Sequence, residues 1–230
     1  MRNAGFRSVK REATRGRRYA RAKLYDRLSS FYDWMAEASE GRPRRRALTA
    51  LAVAEGERVM EIGVGTGRAL PALARAVGAS GRVAGLDLSA GMLRVARRHV
   101  ESLGLGEVVA LQQGDALALP YRSGRFDAVF TSFTLELFKE EEIPAVLAEV
   151  RRVLRRVGRL TVVSLGEEDS TTWRPRFYRW FSSRWPGLID CRPIALPDVL
   201  KEAGFEIRRV ERSDVSGLPV SIAVGGNGTR

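Results

Sequence analysis

The stretch Val59–Leu70, VMEIGVGTGRAL, decides how the rest of the chain is read. An apolar run carries an acid, Glu61, and glycines follow at 63, 65 and 67 before an apolar pattern of helical period. A strand, a glycine loop and a helix in that order let the backbone approach a nucleotide-like ligand closely. A dinucleotide loop, G-x-G-x-x-G, would need its third glycine at position 68, which is Arg68. A phosphate-binding P-loop would need a following Gly-Lys-Ser/Thr, which is absent. Glu61, two residues before the first glycine, disfavours a pyrophosphate and suits a ligand that carries an ammonium.

Working outward, strands and helices alternate. RVMEIG reads as a strand and GRALPALARAVG as a helix closed by Gly78; GRVAGLDL is a second strand, and AGMLRVARRHVESLG a helix with Ser89 as its N-cap. EVVALQQGD and RFDAVFTSF are the third and fourth strands, EEIPAVLAEVRRVLRR a helix, and GRLTVVSL the fifth strand. LPDVLKEAGF is a short helix ended by Gly204, and EIRRVERSDVSGLPVSIAVGG gives two more strands, an antiparallel edge pair joined near Ser216-Gly217. The strands are rich in Val, Leu and Ala, as in parallel sheets covered on both faces. The fold class is therefore α/β, a doubly wound seven-stranded, mostly parallel sheet. Upstream, residues 24–56 form an N-terminal helical extension of one or two helices ending near Glu55-Gly56. The predicted organisation is a basic tail over 1–23, this helical cap, and a main domain over 57–230 with an aromatic insertion at 171–194.

Two further acids narrow the ligand. Asp87 ends the second strand, where an acid accepts hydrogen bonds from a ribose diol. Asp115, in GDALALP after the third strand, is placed to accept from the exocyclic amine of an adenine. An acid for an ammonium, one for a ribose and one for an adenine together describe S-adenosylmethionine, which has no phosphate. EIGVGTG, GLDLSAGML and GDALALPYRSGRFDAVF resemble, in that order, the successive motifs of class I S-adenosylmethionine-dependent methyltransferases, and the match covers about Arg58 to Leu165. The resemblance places Glu61, Gly63, Gly65 and Gly67 around the methionine portion, and Asp87 on the ribose hydroxyls. It places Leu88, Met92 and Ala116 near the adenine, Asp115 on its amine, and Ser132 and Tyr25 in the remaining cofactor contacts. One departure stands out. Before the fifth strand the family carries Leu-Lys-Pro-Gly-Gly, whereas here LRRVGRL puts Arg156 and Val157 where the proline and first glycine would be.

YDRLSSFYDWM, at residues 25–35, resembles the N-terminal signature of quinone-ring C-methyltransferases and bacterial phospholipid N-methyltransferases, in which it folds over the cofactor. Tyr25 and Tyr32 would then lie nearest the methionine end and the acceptor. EIGVGTGRALP resembles the phospholipid enzymes, and the C-terminal pattern CRPI, LKEAGF and GLPV the quinone branch. Both imply a lipophilic acceptor. Methyl transfer gains much of its rate from alignment, up to about 7–11 kcal/mol in intramolecular models, so a base is optional. Tyr25, Tyr32, Asp33 and Glu136 are the candidates for one, Glu136 being also readable as a solvated helix residue.

Composition bounds the rest. The 230 residues carry a net charge of +12, and nine Lys and Arg stand against the single acid Glu12 before residue 24. That tail is either solvated or an arm drawn to an anionic surface. Read as a helix, Trp173, Phe177, Trp180 and Phe181 share a face bordered by arginines, which suits either a core cap or a helix in a membrane interface. Cys191 is the only cysteine, read as a packed thiol, and His99 the only histidine, read as a surface residue. With no membrane-spanning run and no apolar leader, the expectation is a cytoplasmic enzyme touching the inner face of the membrane peripherally. Asp127 opens the fourth strand far from its carboxyl end and is read as structural. The basic arm also admits a nucleic-acid substrate, but TSFT stands after the fourth strand where a base-amine methylase would carry Asn/Asp-Pro-Pro-Tyr. A protein that binds S-adenosylmethionine without transferring methyl is the third reading.

Overall fold

Side chains alternate across a strand, and β1 (Arg58–Ile62) uses the alternation on both faces. Val59 enters one apolar cluster and Met60 and Ile62 the other, which leaves Glu61 on the face of Val59. The computed structural model describes residues 41–166, 193–215 and 218–228. From β1 the chain runs outward through α2 (Leu70–Val77), β2 (Arg82–Asp87), α3 (Ala90–Ser102) and β3 (Val109–Gln113). It then returns to the other side of β1 as β4 (Phe126–Ser132), α4 (Ile143–Val153) and β5 (Leu154–Leu165). α5 (Leu196–Glu202), β6 (Glu206–Val215) and β7 (Leu218–Gly226) complete a seven-stranded sheet of order β3-β2-β1-β4-β5-β7-β6. β1 to β5 pair in parallel, and β7 is antiparallel to both β5 and β6. The second strand of the expected edge pair thus lies inside the sheet; of the two, β6 alone is an edge strand.

A helix over residues 41–51, α1, joins α2 and α3 on one face, where Leu51, Leu73 and Ala96 pack onto Val59, Phe130 and Val163. α4 and α5 cover the other face, with Leu147 and Leu200 on Met60 and Val162. Helix ends follow local chemistry. Pro71 opens α2 and Gly78, at φ 65°, closes it, while the Ser89 hydroxyl accepts from the Met92 N–H at 3.1 Å as the N-cap of α3.

The LRRVGRL departure is resolved as a bulge. Phe126 pairs with Leu154, yet Ala128 pairs with Arg159, so Arg155–Gly158 stand opposite Asp127 alone. α4 therefore ends at Val153, earlier than its apolar period suggests, and β5 begins with Leu154. Asp127 accepts from the Arg58 N–H at 2.8 Å and pairs with Arg155, a structural role as expected. Asn227 closes the excursion by donating to the carbonyls of Arg151 and Arg155 at 3.2 and 3.0 Å.

Candidate active site

Strand order reverses between β1 and β4, the place where α/β sheets bind ligands at the carboxyl ends of their strands. The glycine loop occupies that edge. The N–H of Gly63 donates to Leu86 O at 2.8 Å, which folds the loop over β2. The N–H of Gly67 donates to Val64 O at 2.8 Å and closes the turn. Gly63 has φ 72°, and a Cβ there would lie 2.6 Å from Thr134 Cγ2, so the position needs both the left-handed backbone and the missing side chain. Thr134 is itself buried just beyond β4, with its hydroxyl donating to Ser132 O at 3.0 Å. It follows Phe133, a bulky residue held at φ 50°. Such a conformation costs on the order of 1–3 kcal/mol and persists only where the surroundings enforce it.

Asp87 holds the loop from the side. Its Oδ2 accepts from the Gly65 N–H at 2.8 Å and its Oδ1 from the Ser89 N–H at 2.9 Å. A carboxylate offers about four acceptor sites, so these bonds are compatible with further acceptance from a diol. Leu88 and Met92 follow, half-buried and buried respectively, and Leu88 O accepts from Gln113 Nε2 at 2.9 Å. Asp115 is half-buried after β3. Its Oδ1 takes the Leu117 N–H at 3.1 Å and its carbonyl the Ala118 N–H at 3.0 Å, a compact turn with Ala116 buried within it. Ser132, at the end of β4, has a buried hydroxyl with no hydrogen-bond partner among the described residues.

Glu61 is the electrostatic centre of the site. It is 3% exposed, and its Oε2 has no hydrogen-bond partner among the described residues. Burial pushes its carboxyl from an ordinary 4.5 up to about 8; the charge of Arg44, on α1, opposes the shift and that of Asp87 adds to it. An acceptor so buried and so placed fits a ligand that brings its own cation. Together with a loop shaped around a missing Cβ, it makes the edge a fit for the amino-acid end of S-adenosylmethionine.

A methyltransferase-domain family model matches residues 59–158. The 2-phytyl-1,4-naphtoquinone methyltransferase of Synechococcus elongatus is 32% identical over 166 residues, 70% of this chain and 70% of that protein. The chain belongs to the class I S-adenosylmethionine-dependent methyltransferases. The phosphatidylethanolamine N-methyltransferase of Cereibacter sphaeroides is 39% identical to this methyltransferase over 135 residues, 59% of this chain and 63% of that one. The crystal structure of a SAM-dependent methyltransferase from Aquifex aeolicus has the same fold, with a TM-score of 0.65, 21% identity, and coverage of 89% and 97% of the two chains. The methyl donor is S-adenosyl-L-methionine.

Beyond β4 the methyltransferase carries Glu136, in the short turn Leu135–Leu137. Glu136 is 4% exposed and its Oε1 accepts from the Leu165 N–H at 3.3 Å, so it is not the solvated helix residue that its charge suggests. Sequence reasoning missed three other features. Thr134 as the loop's packing partner, Phe133 as a strained position and Arg44 beside Glu61 carry no motif; each depends on contacts between distant segments. His99 is half-buried in the last turn of α3. Tyr25, Tyr32, Asp33, the basic tail, Cys191 and the aromatic stretch through Trp173, Phe177, Trp180 and Phe181 lie outside the described residues. Among those described, no helix is long and apolar enough to cross a membrane.

Proposed function

We propose that this methyltransferase methylates a lipophilic acceptor, with the ring carbon of a quinol-type molecule as the first assignment. In this reading Glu61 takes the ammonium of the donor, Asp87 the ribose diol and Asp115 the adenine amine. Leu88, Met92 and Ala116 flank the base, Gly63, Gly65 and Gly67 let the backbone approach the methionine portion, and Ser132 and Tyr25 complete the set. When bound, S-adenosylmethionine supplies an electrophilic methyl on a sulfonium, whose leaving group is already good. The protein's share is to align the acceptor, exclude water and remove a proton.

The observation that carries the quinol reading is Glu136, a buried carboxyl at the carboxyl ends of β4 and β5. A methylated ring carbon must lose a proton, and a buried carboxyl fixed in place by the Leu165 N–H is of the residue type that takes one. Tyr25, Tyr32 and Asp33 remain alternative bases. The Synechococcus relative's name, a phytyl naphthoquinone methyltransferase, supports the same acceptor class. A phospholipid amine is the second reading, favoured by 39% identity to the Cereibacter enzyme. The cationic tail supports peripheral contact with anionic lipid in either case.

The test supplies labelled S-adenosylmethionine with a demethylated naphthoquinol or with phosphatidylethanolamine vesicles. Label in the quinol ring is expected, with Glu136→Gln lowering kcat by about 10²-fold or more, the usual scale for a lost general base. Label in phosphatidylethanolamine alone would install the second reading; label in neither would defeat the lipophilic assignment.

A further inference from the structure

Three backbone groups of residues 119–121 are held by two side chains of α4. The N–H of Leu119 donates to Glu149 Oε2 at 2.7 Å, while Arg152 Nη2 donates to Leu119 O at 2.9 Å and its Nη1 to Tyr121 O at 2.6 Å. The two side chains are locked to each other, Arg152 Nε to Glu149 Oε1 at 2.7 Å and Nη2 to Oε2 at 2.8 Å. This fork holds the Glu149 carboxyl below its usual range, through the Arg152 hydrogen bond above all, and raises Arg152 in turn. Leu119 is buried and the segment is neither helix nor strand, so α4 supplies the partners that regular structure would otherwise supply.

The segment so held is the exit of the turn that carries Asp115. Its entry is fixed separately, by the Gly114 N–H donating to Asp87 O at 2.9 Å. Tyr121 then seats its ring edge-on against Phe126, centroids 5.0 Å apart, and leads into β4. With both ends pinned, the place of the Asp115 carboxylate is set by β2 on one side and by α4 on the other. We propose that Glu149 and Arg152 are positioning residues that set where Asp115 stands, and thereby select a donor whose base carries an exocyclic amine. The inference rests on the assignment of Asp115 to that amine.

The experiment compares two ligands by titration calorimetry on the full chain: S-adenosylhomocysteine, and S-inosylhomocysteine, in which a carbonyl oxygen replaces the amine. Wild type should prefer the adenine ligand, and Asp115→Asn should narrow that preference. Arg152→Lys keeps the charge but cannot serve the four acceptor oxygens that the planar guanidinium reaches. It should weaken S-adenosylhomocysteine about 10-fold, the scale of a hydrogen bond to a charged group, and S-inosylhomocysteine by less than about twofold. Glu149→Gln, the milder change, should narrow the ratio in the same direction and decides the matter if Arg152→Lys does not fold. Equal weakening of both ligands, or an unchanged ratio in both α4 variants, would overturn the clamp as a selector. An unchanged ratio in Asp115→Asn would overturn the proposal by a separate route, through the adenine assignment.

Discussion

Gly63 joins two demands at one residue. Its φ of 72° strains any side chain, and its neighbour Thr134 fills the space a Cβ would take. Gly63→Ala should therefore cost about 2 kcal/mol or more of stability, the sum of a left-handed backbone and an overpacked contact. A fall in thermal midpoint together with loss of S-adenosylhomocysteine binding is expected; an unchanged midpoint would show that the loop shifts freely. Asp87 carries a similar double duty. Because its carboxylate accepts from Gly65 and Ser89, its loss would disturb the loop as well as any ribose contact. The strand-end acid was legible in the sequence, since it closes GLDL before a helix cap. Its hold on a glycine 22 positions earlier was not.

Among elements, the junction of α1 with β5 depends on one guanidinium. Arg159 donates to Leu51 O and Ala52 O at 2.5 and 2.7 Å and forks onto Glu57 at 2.9 and 2.6 Å. Burial, the largest single influence, would raise the Glu57 carboxyl, yet the Arg159 hydrogen bonds, the Ala54 N–H and the charges of Arg159 and Arg155 together outweigh it and the net shift is downward. Arg159→Ala removes the guanidinium from the Leu51 and Ala52 carbonyls at the end of α1 and leaves the partly buried Glu57 carboxylate with the Ala54 N–H in its place. A loss of about 2 kcal/mol is expected, or about 4–8 °C in thermal midpoint for a chain of this size. No shift in calorimetry would mean that water replaces the guanidinium. Helix and strand identities were readable from apolar period, but the junction between α4 and β5 was not. RRVLRR continues the helical period through Leu154, and only pairing of Leu154 with Phe126 ends the helix there.

At the scale of the whole molecule, stability should depend on pH through Glu61. The folded carboxyl holds its proton up to about 8, against 4.5 when unfolded. The folded state thus binds more protons than the unfolded state between those values, so this group's contribution is fully present below 4.5 and is lost as pH rises through 8. Thermal midpoints of the ligand-free protein should fall from pH 5 to pH 9 relative to Glu61→Gln, in which this dependence is missing. Parallel pH profiles of the two proteins would refute the shift. A cationic ligand reverses the preference, so binding at pH 7 should release about one proton, read as a buffer-dependent calorimetric enthalpy.

By itself the sequence determined the alternation of strands and helices, the glycine loop and the three acids at strand ends. These are local: periodicity, turn chemistry and spacing lie within a few residues of one another, and the parallel order follows from the crossovers they require. Only the tertiary structure decided that β7 lies between β5 and β6, that Thr134 fills the space beside Gly63, and that Glu136 is buried. It alone fixed the Asp115 turn to α4 through Glu149 and Arg152. Each of these depends on desolvation and close packing between segments far apart in the chain, and a side chain's charge or burial there is set by neighbours that no local pattern names.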